Sequence, residues 1–256
     1  MKSTLIKLYL LLFMILIVSV AKAQVSGNEN YSQGVELYSA AKYQEAADIW
    51  IELYNKGYRS ASLNYNIANA YFKLQNIPAA ILYYERAYLL DPTDEDINYN
   101  LQIARTMIVD RFQEIPELFF VNWYNQISLL LSSNTWAFLS IISFIVCLVS
   151  VSLYIYSTRY LYKVIGFWFA VSLLVVSSST LAFSLRNRYL VHDNHEAIVF
   201  SPVVSGKSSP DASGTDLFVL HEGTKVAIED EVGEWYEIRL SDGNKGWIPS
   251  NRVDRI

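Results

Sequence analysis

The chain has 256 residues, a net charge of −5 and a hydrophobic share of 52%, which is large for a soluble protein. Residues 24–120 carry a net charge of −6 and residues 186–256 a net charge of −4. Neither segment offers the basic surface that binds nucleic acid. The composition therefore indicates a membrane protein and argues against a nucleic-acid partner.

The N-terminus has the pattern of a secretory signal, which we predict over residues 1–23. Lys2 and Lys7 precede an apolar stretch, and the stretch ends in Ala21-Lys22-Ala23, a small-x-small cleavage pattern. The alternative is an uncleaved anchor helix, because the apolar stretch is long. With either outcome, residues from 24 onward emerge beyond the bacterial inner membrane.

Two uncharged apolar segments predict transmembrane helices at residues 136–156 and 164–185, each with the roughly 20 residues that a bilayer crossing needs. The connecting residues 157–163 contain Arg159 and Lys163, as the positive-inside rule expects of a cytoplasmic loop. The pair is therefore predicted to be a hairpin in the lipid bilayer of the inner membrane, with both soluble domains in the periplasm. Neither span has an ionisable side chain of the kind that marks an ion path, which favours packing of the hairpin on itself over transport.

Residues 116–135 lead into the first predicted span and form a segment of mixed polarity. Apolar side chains are interrupted there by Asn122 and Asn125, with Trp123 and Tyr124 among them. Amphipathic aromatic residues favour the membrane–water boundary. We predict an interfacial segment.

A repeat of 34 residues lies in the segment that we assign to residues 24–115. Asn30-Tyr31 recurs as Asn64-Tyr65 and again as Asn98-Tyr99. A period of this size is typical of stacked helical pairs, because one pair cannot bury its own apolar face. The best unit ends at Asp91-Pro92, where proline stops its second helix.

These residues resemble the tetratricopeptide repeat. The resemblance implies an α-helical solenoid with a concave groove that binds peptide or protein. Groove positions of that family fall on first-helix residues of this chain, namely Tyr31, Tyr38, Tyr65, Asn69, Phe72, Lys73 and Tyr99. The alternative for the tyrosines is packing between repeats, since a tyrosine has both an apolar ring and a polar tip.

After a predicted linker at residues 186–195, short β runs and turn signals predict a small barrel over residues 196–256. Gly233-Glu234-Trp235 and Gly246-Trp247-Ile248 resemble elements of bacterial SH3 domains. Members of that family often bind cell-wall peptides or proteins. The resemblance makes Trp235 and Trp247 candidate contact residues, with packing in the barrel as the alternative.

No pattern of catalytic chemistry stands out, and we predict no catalytic residue, no cofactor, no bound metal and no enzyme activity. His192-Asp193-Asn194-His195 lacks a third ligand at a sensible spacing, which favours a solvated linker over a metal site. His221 lies before Glu222-Gly223, and we interpret it as a turn residue.

The order of these parts predicts a multi-domain membrane protein: a helical solenoid, a two-helix transmembrane hairpin and an all-β SH3-like barrel. This order resembles the BatE-like aerotolerance proteins, the tetratricopeptide-containing members of the Bat group. The resemblance implies a periplasmic scaffold in envelope stress tolerance, with partners among other envelope proteins such as the von Willebrand A-domain membrane proteins of that group. The alternative function is a cell-wall sensor or anchor that binds peptidoglycan through the barrel.

Overall fold

A computed structural model describes residues 28–112, 118–192 and 195–256. The predicted signal sequence lies outside these residues. The described residues form eight α-helices, seven β-strands and one 3-10 turn. The chain divides into two compact units, one ending at Arg59 and one running from Ser60 to Ile256.

The first unit contains one helical pair, α1 (Asn28–Ser39) and α2 (Tyr43–Asn55). Trp50 of α2 is buried against Gly34 of α1, where a Cβ atom would lie only 2.3 Å from the indole nitrogen. The glycine therefore lets the two helices approach closely enough to bury a large ring.

The second unit begins with three helices, α3 (Ala61–Lys73), α4 (Ile77–Leu90) and α5 (Glu95–Thr106). Their apolar faces share one cluster in which Ala68, Ala80 and Ala104 are completely buried. Small residues at these positions let neighbouring helices pack closely. This cluster, which we call the helical core, also receives side chains from the barrel described below.

The 34-residue period is present in the hydrogen bonding of turns and caps. Ala41 and Gln75, which are equivalent positions of the period, both have φ of 60° in the turn after a first helix. Ser60 and Asp94 are equivalent too, and each side chain accepts a backbone N–H of the helix that it caps. The sequence repeat is thus a repeat of local structure, while the tetratricopeptide assignment stays a prediction.

Three further helices follow: α6 (Phe119–Ser128), α7 (Ser133–Tyr156) and α8 (Tyr160–His192). Both α7 and α8 are long and apolar enough to cross a membrane, which confirms that prediction for length and composition. The 33 residues of α8 span about 50 Å, well over the roughly 30 Å of a hydrocarbon core. Its last turns therefore extend past the predicted span.

Hydroxyl groups and small residues join α7 to α8. Ser140 and Ser177 each donate their hydroxyl to the other's carbonyl oxygen, at 2.9 and 3.0 Å. Ser133 and Ser184 repeat this reciprocal pair, at 2.9 and 3.0 Å. The two helices therefore pack on each other along a polar seam, in which each serine hydroxyl donates a hydrogen bond to a carbonyl oxygen of the other helix.

The start of α7 and the end of α8 are fastened to α6 by a second polar group. Arg186 donates to the side chains of Asn125 and Ser128, at 2.6 and 2.5 Å. Asn187 and Trp136 both donate to the Ser128 carbonyl oxygen. These bonds hold α6 against the hairpin, with the ring of Phe119 exposed on its other side.

The C-terminal segment forms one antiparallel sheet of seven strands in the order β3-β2-β6-β5-β4-β1-β7. Its core contains Leu220, Ile238, Leu240 and Ile248, which are almost completely buried. A 3-10 turn at Ser250–Arg252 precedes the last strand. The strands are β1 (Glu196–Val199), β2 (Val203–Lys207), β3 (Asp216–His221), β4 (Lys225–Val232), β5 (Trp235–Arg239), β6 (Lys245–Pro249) and β7 (Val253–Arg255).

Candidate functional site

The predicted groove residues of the first unit are packed rather than open. Tyr31 and Tyr38 lie beside the ring of Trp50, with ring centroids 6.4 and 6.1 Å from it. The Trp50 indole N–H also donates to the carbonyl oxygen of Tyr31, at 3.2 Å. Both tyrosines are half-buried, so they contribute to packing of the pair and expose only part of their surface.

Tyr65 and Asn69, two predicted groove residues of α3, form hydrogen bonds to neighbouring helices. The Tyr65 hydroxyl accepts from the amide of Asn100 on α5, at 2.7 Å. Asn69 accepts from the hydroxyl of Tyr84 on α4, at 2.6 Å, and Tyr84 is itself buried. The polar ends of these side chains therefore form hydrogen bonds between helices. This is the packing role that the sequence offered as the alternative to groove binding.

The remaining groove residues differ in exposure. Phe72 is half-buried and packs against the helical core, whereas Lys73 at the end of α3 is exposed. Tyr99 on α5 is 65% exposed, which is unusual for a ring of its size in a folded surface. Tyr99 and Lys73 are therefore the predicted helical positions that present most surface to a partner.

Trp235 and Trp247 lie on the outer face of the barrel, where both are half-buried. Strand register places Trp235 opposite Pro249, and Trp247 opposite both Glu237 and Lys207. Directly paired residues of antiparallel strands lie on the same face of a sheet. The alternate residues of β5 and β6, among them Ile238 and Ile248, point into the barrel core instead.

The same register extends this outer face onto β2 and β3, where sequence reasoning named no residue. Val203, Leu217 and Val219 are 58%, 53% and 49% exposed, and Val219 pairs with outward-facing Ser205. A contiguous patch of exposed apolar side chains is characteristic of interaction sites. In the sequence, the alternation of Leu217 and Val219 with inward-facing residues could have indicated that these two apolar side chains are exposed. We call the exposed side of β2, β3, β5 and β6 the outer barrel face.

The barrel packs directly on the helices through apolar side chains. Ile198 of β1 is fully buried in the helical core beside Ile81 and Leu82 of α4. Gly223, at the β3–β4 turn, lies so close to the helical unit that a Cβ atom there would be 2.5 Å from Ile108. The barrel therefore covers an apolar helix face that a further repeat would otherwise bury.

Buried charges complete this contact between helices and barrel, which we call the joint. The carboxylate of Glu85 on α4 is only 2% exposed and lies 2.5 Å from Arg105 and 3.1 Å from Lys225 of the barrel. Lys225 also pairs with Glu196, at 2.7 Å. Burial alone raises the pKa of Glu85, but the charges of Lys225 and Arg105 outweigh that effect and hold the pKa below its ordinary value.

Asp110 makes a second polar contact across the joint. It accepts the backbone N–H of His221 at 2.7 Å and the hydroxyl of Thr224 at 2.6 Å, and it lies 2.7 Å from the His221 ring nitrogen Nδ1. Burial raises the pKa of Asp110, but these hydrogen bonds lower it by more, so the pKa is below its ordinary value. The carboxylate is therefore charged at neutral pH. His221 does open the β3–β4 turn, because the Thr224 N–H donates to its carbonyl oxygen at 3.4 Å, and its ring and backbone N–H also bind Asp110.

The described residues include no candidate metal site. Within residues 28–112, 118–192 and 195–256, no group of three or more histidine, cysteine or acidic side chains is placed to hold a metal ion. Asp193 and Asn194 of the histidine-containing linker lie outside these ranges. Part of the segment at residues 192–195, the candidate metal site of the sequence, therefore lies outside the described residues.

Comparison with protein families identifies the class of the C-terminal domain: residues 207–254 match the bacterial SH3 domain family. This finding confirms the predicted SH3-like barrel. A comparison with curated proteins found no match to the chain. The matched residues include β3 to β6 and thus most of the outer barrel face.

Proposed function

We propose that the chain is a membrane-anchored periplasmic scaffold that binds envelope proteins and has no catalytic activity of its own. The observation that carries the proposal is the outer barrel face, an exposed apolar surface with two half-buried tryptophans on a bacterial SH3 domain. Its place in an aerotolerance or envelope stress complex follows from the resemblance to the Bat group. The von Willebrand A-domain membrane proteins of that group are the proposed partners.

The joint supports a scaffold because it fixes the barrel to helices α3–α5. Two weak binding surfaces on one body act together when a partner reaches both, since the second contact forms at high effective concentration. A rigid arrangement also reduces the conformational entropy that is lost on binding. Tyr99 on the helices and Trp247 on the barrel therefore need only modest affinity each.

The first test is co-purification from detergent-solubilised membranes with identification by mass spectrometry. Tyr99→Ala removes an exposed ring without touching the helical core, and Tyr189→Ala removes a similarly exposed ring from α8 as a control. We expect partners to be lost with Tyr99→Ala and kept with Tyr189→Ala. Partners retained by both variants would exclude Tyr99 from the binding surface.

The second candidate function is cell-wall binding through the barrel, which the SH3 family match favours. Its test is sedimentation of the protein with isolated peptidoglycan. Trp247→Ala should abolish sedimentation, while Trp123→Ala, an exposed tryptophan of α6, should leave it unchanged. Equal sedimentation of both variants would contradict wall binding by the outer barrel face.

Point substitutions separate these functions better than removal of the barrel. Deleting residues 196–256 would uncover Ile81 and Leu82 and would leave the buried Glu85 carboxylate without Lys225. A buried charge that keeps only Arg105 of its two cations and a bare apolar helix face both destabilise the remaining helices. Lost binding in a deletion variant would then report unfolding as much as a missing site.

A further inference from the structure

A cleft of about 400 Å³ opens along the edge of the joint. One wall is the turn between α3 and α4, and the other consists of residues that flank β1 and the β3–β4 turn. This volume is within the lower range of small-ligand sites in proteins. The cleft is lined by Leu74, Gln75, Asn76, Pro78, Phe200 and Glu222.

Both walls of the cleft are fixed by backbone hydrogen bonds. On the helical side, the Asn76 N–H donates to the Tyr71 carbonyl oxygen at 3.0 Å, which holds the turn around Gln75. On the barrel side, the Phe200 N–H donates to Arg252 and the Gly223 N–H to Val199, both at 2.8 Å. The cleft is therefore a preformed feature of the folded body.

The hydrogen bonds made by the polar side chains of the cleft determine which acceptors can bind a ligand. Asn76 already uses its side-chain oxygen as the cap of α4, and the Gln75 amide nitrogen donates to the Phe72 carbonyl oxygen. The Gln75 side-chain oxygen and the Glu222 carboxylate are acceptors on opposite walls of the same cleft. In the part of the chain that the structure describes, no cation is paired with Glu222.

We propose that this cleft binds a primary ammonium group on an aliphatic stem, as in a lysine-type side chain of a bound peptide. Glu222 and the Gln75 oxygen would accept hydrogen bonds from the ammonium group, and charge-assisted bonds of this kind are the stronger ones. Leu74 and Pro78 supply apolar surface for the stem. The ring of Phe200 adds the attraction of an aromatic face for a cation.

The inference rests on the proposed function, because it assigns a side-chain subsite to a body that binds peptides. It adds a chemical preference that neither Tyr99 nor the outer barrel face specifies. The lining comes from both the helices and the barrel, so a ligand in the cleft contacts both parts of the joint at once. An isolated barrel has only half of the site.

The test uses the full chain in detergent micelles and NMR resonances of residues 75, 76, 200 and 222. The probes are acetyl-Ala-Lys-Ala-amide, the same peptide acetylated on the lysine Nζ, and a soluble muropeptide with a free side-chain amine. We expect the two amine probes to shift these resonances and the acetylated peptide to have no effect. The tighter of the two amine probes then identifies the source of the ammonium group.

Glu222→Gln tests the charge with little change of shape and should weaken binding of the amine probes about three- to fivefold. Glu234→Gln removes the same charge from an exposed turn at the other end of the barrel and should leave binding unchanged. Equal binding of the lysine and acetyl-lysine peptides, or equal effects of the two variants, would overturn the proposal. If the cleft fails these tests while Tyr99→Ala still releases partners, only the cleft assignment falls and the scaffold stands.

Discussion

The joint and the α7–α8 hairpin are both contacts between distant parts of the chain, yet they are made of different chemistry. The joint buries large apolar side chains such as Ile198 and adds fully charged groups such as Glu85 and Lys225. The hairpin contact is made by serine hydroxyls that bond to backbone carbonyls, as between Ser140 and Ser177, while the surrounding aliphatic side chains face outward.

This difference is expected if the hairpin lies in lipid, as we propose, while the joint lies in water. In water, burial of apolar surface drives association, and ion pairs become useful where they complete a buried contact. In lipid, aliphatic side chains gain little by contacting each other, and close packing of small residues with interhelical hydrogen bonds takes over. The hydrogen-bonded contact of the hairpin and its apolar outer surface therefore both support the proposed membrane location.

The largest expected effect comes from removing a charge from the joint. Lys225→Met keeps the aliphatic stem but leaves the buried Glu85 carboxylate with Arg105 as its remaining cation. We expect a loss of about 3 kcal/mol in unfolding free energy, because an incompletely paired buried charge is costly. That corresponds to a decrease of roughly 6–12 °C in the melting temperature, measured by fluorimetry in detergent.

Lys245→Met is the matched control for that substitution. Lys245 pairs with Glu229 on the same barrel, but the lysine side chain is 52% exposed. Exposed ion pairs contribute at most about 1 kcal/mol, so this variant should melt close to the wild type. Similar melting of the two variants would show that burial in the joint does not set the strength of the Glu85 contact.

The next expected effect comes from a change of backbone at the joint. Gly223 has φ of 86°, and a Cβ atom there would contact Ile108 at 2.5 Å. We expect Gly223→Ala to cost about 2 kcal/mol, from backbone strain and from the overlap together. The measurement is the melting temperature, with a decrease of roughly 4–8 °C.

Gly233→Ala separates the two causes. Gly233 also has a positive φ, of 60°, but an added Cβ atom would meet no atom within 4 Å. This control should show only the conformational cost, about 1 kcal/mol. If both variants lost equal stability, the close approach of the β3–β4 turn to Ile108 would be unnecessary for the joint.

A smaller effect is expected from acid, because a protonated carboxyl keeps part of its hydrogen bonding. The pKa of Glu85 is lowered in the folded protein from an ordinary value of 4.5. Its stabilising contribution is therefore complete above pH 4.5 and is lost as the pH falls toward the folded-state pKa. The melting temperature of the wild type should fall more steeply below that pH than that of Glu85→Gln; parallel curves would contradict the assignment.

Sequence alone predicted the elements of this protein well, because their signals are local. The 34-residue period, the end of α4 near Asp91-Pro92, the two apolar helices and the turn-rich barrel each depend on neighbours within a few positions. The joint depends on residues such as Glu85 and Lys225 that are far apart in the chain, and no local pattern pairs them. The one clue was an ionisable residue among the buried positions of an apolar helix.

The candidate site was predicted less completely for a different reason. Tyrosine side chains suit both a binding groove and a packed contact, and Tyr65 forms an interhelical hydrogen bond whereas Tyr99 is exposed. A spacing of 34 residues cannot distinguish these two roles, since exposure depends on which neighbour follows in the stack. Here the barrel packs on α4 and on the residues just after α5, and the 34-residue period does not predict that neighbour.

The smallest expected effect tests the hairpin side of the comparison. Ser140→Ala removes one interhelical donor and leaves Ser177 still able to donate to the residue 140 carbonyl oxygen. Interhelical hydrogen bonds in membranes contribute about 0.6 kcal/mol on average. We therefore expect a loss of that size for the single variant and about twice as much for Ser140→Ala with Ser177→Ala, measured by titration from mild detergent into a denaturing one.

Ser152→Ala is the control, because the Ser152 hydroxyl bonds within α7 to Leu148 and makes no cross-helix contact among the residues described. In the same detergent titration, this variant should have the unfolding free energy of the wild type. A cost of several kcal/mol for Ser140→Ala would mean that the seam behaves like the joint, where an unsatisfied group is expensive because its surroundings cannot adjust. A small cost shared between Ser140 and Ser177 would instead show that many modest hydrogen bonds, rather than one strong contact, keep the hairpin closed.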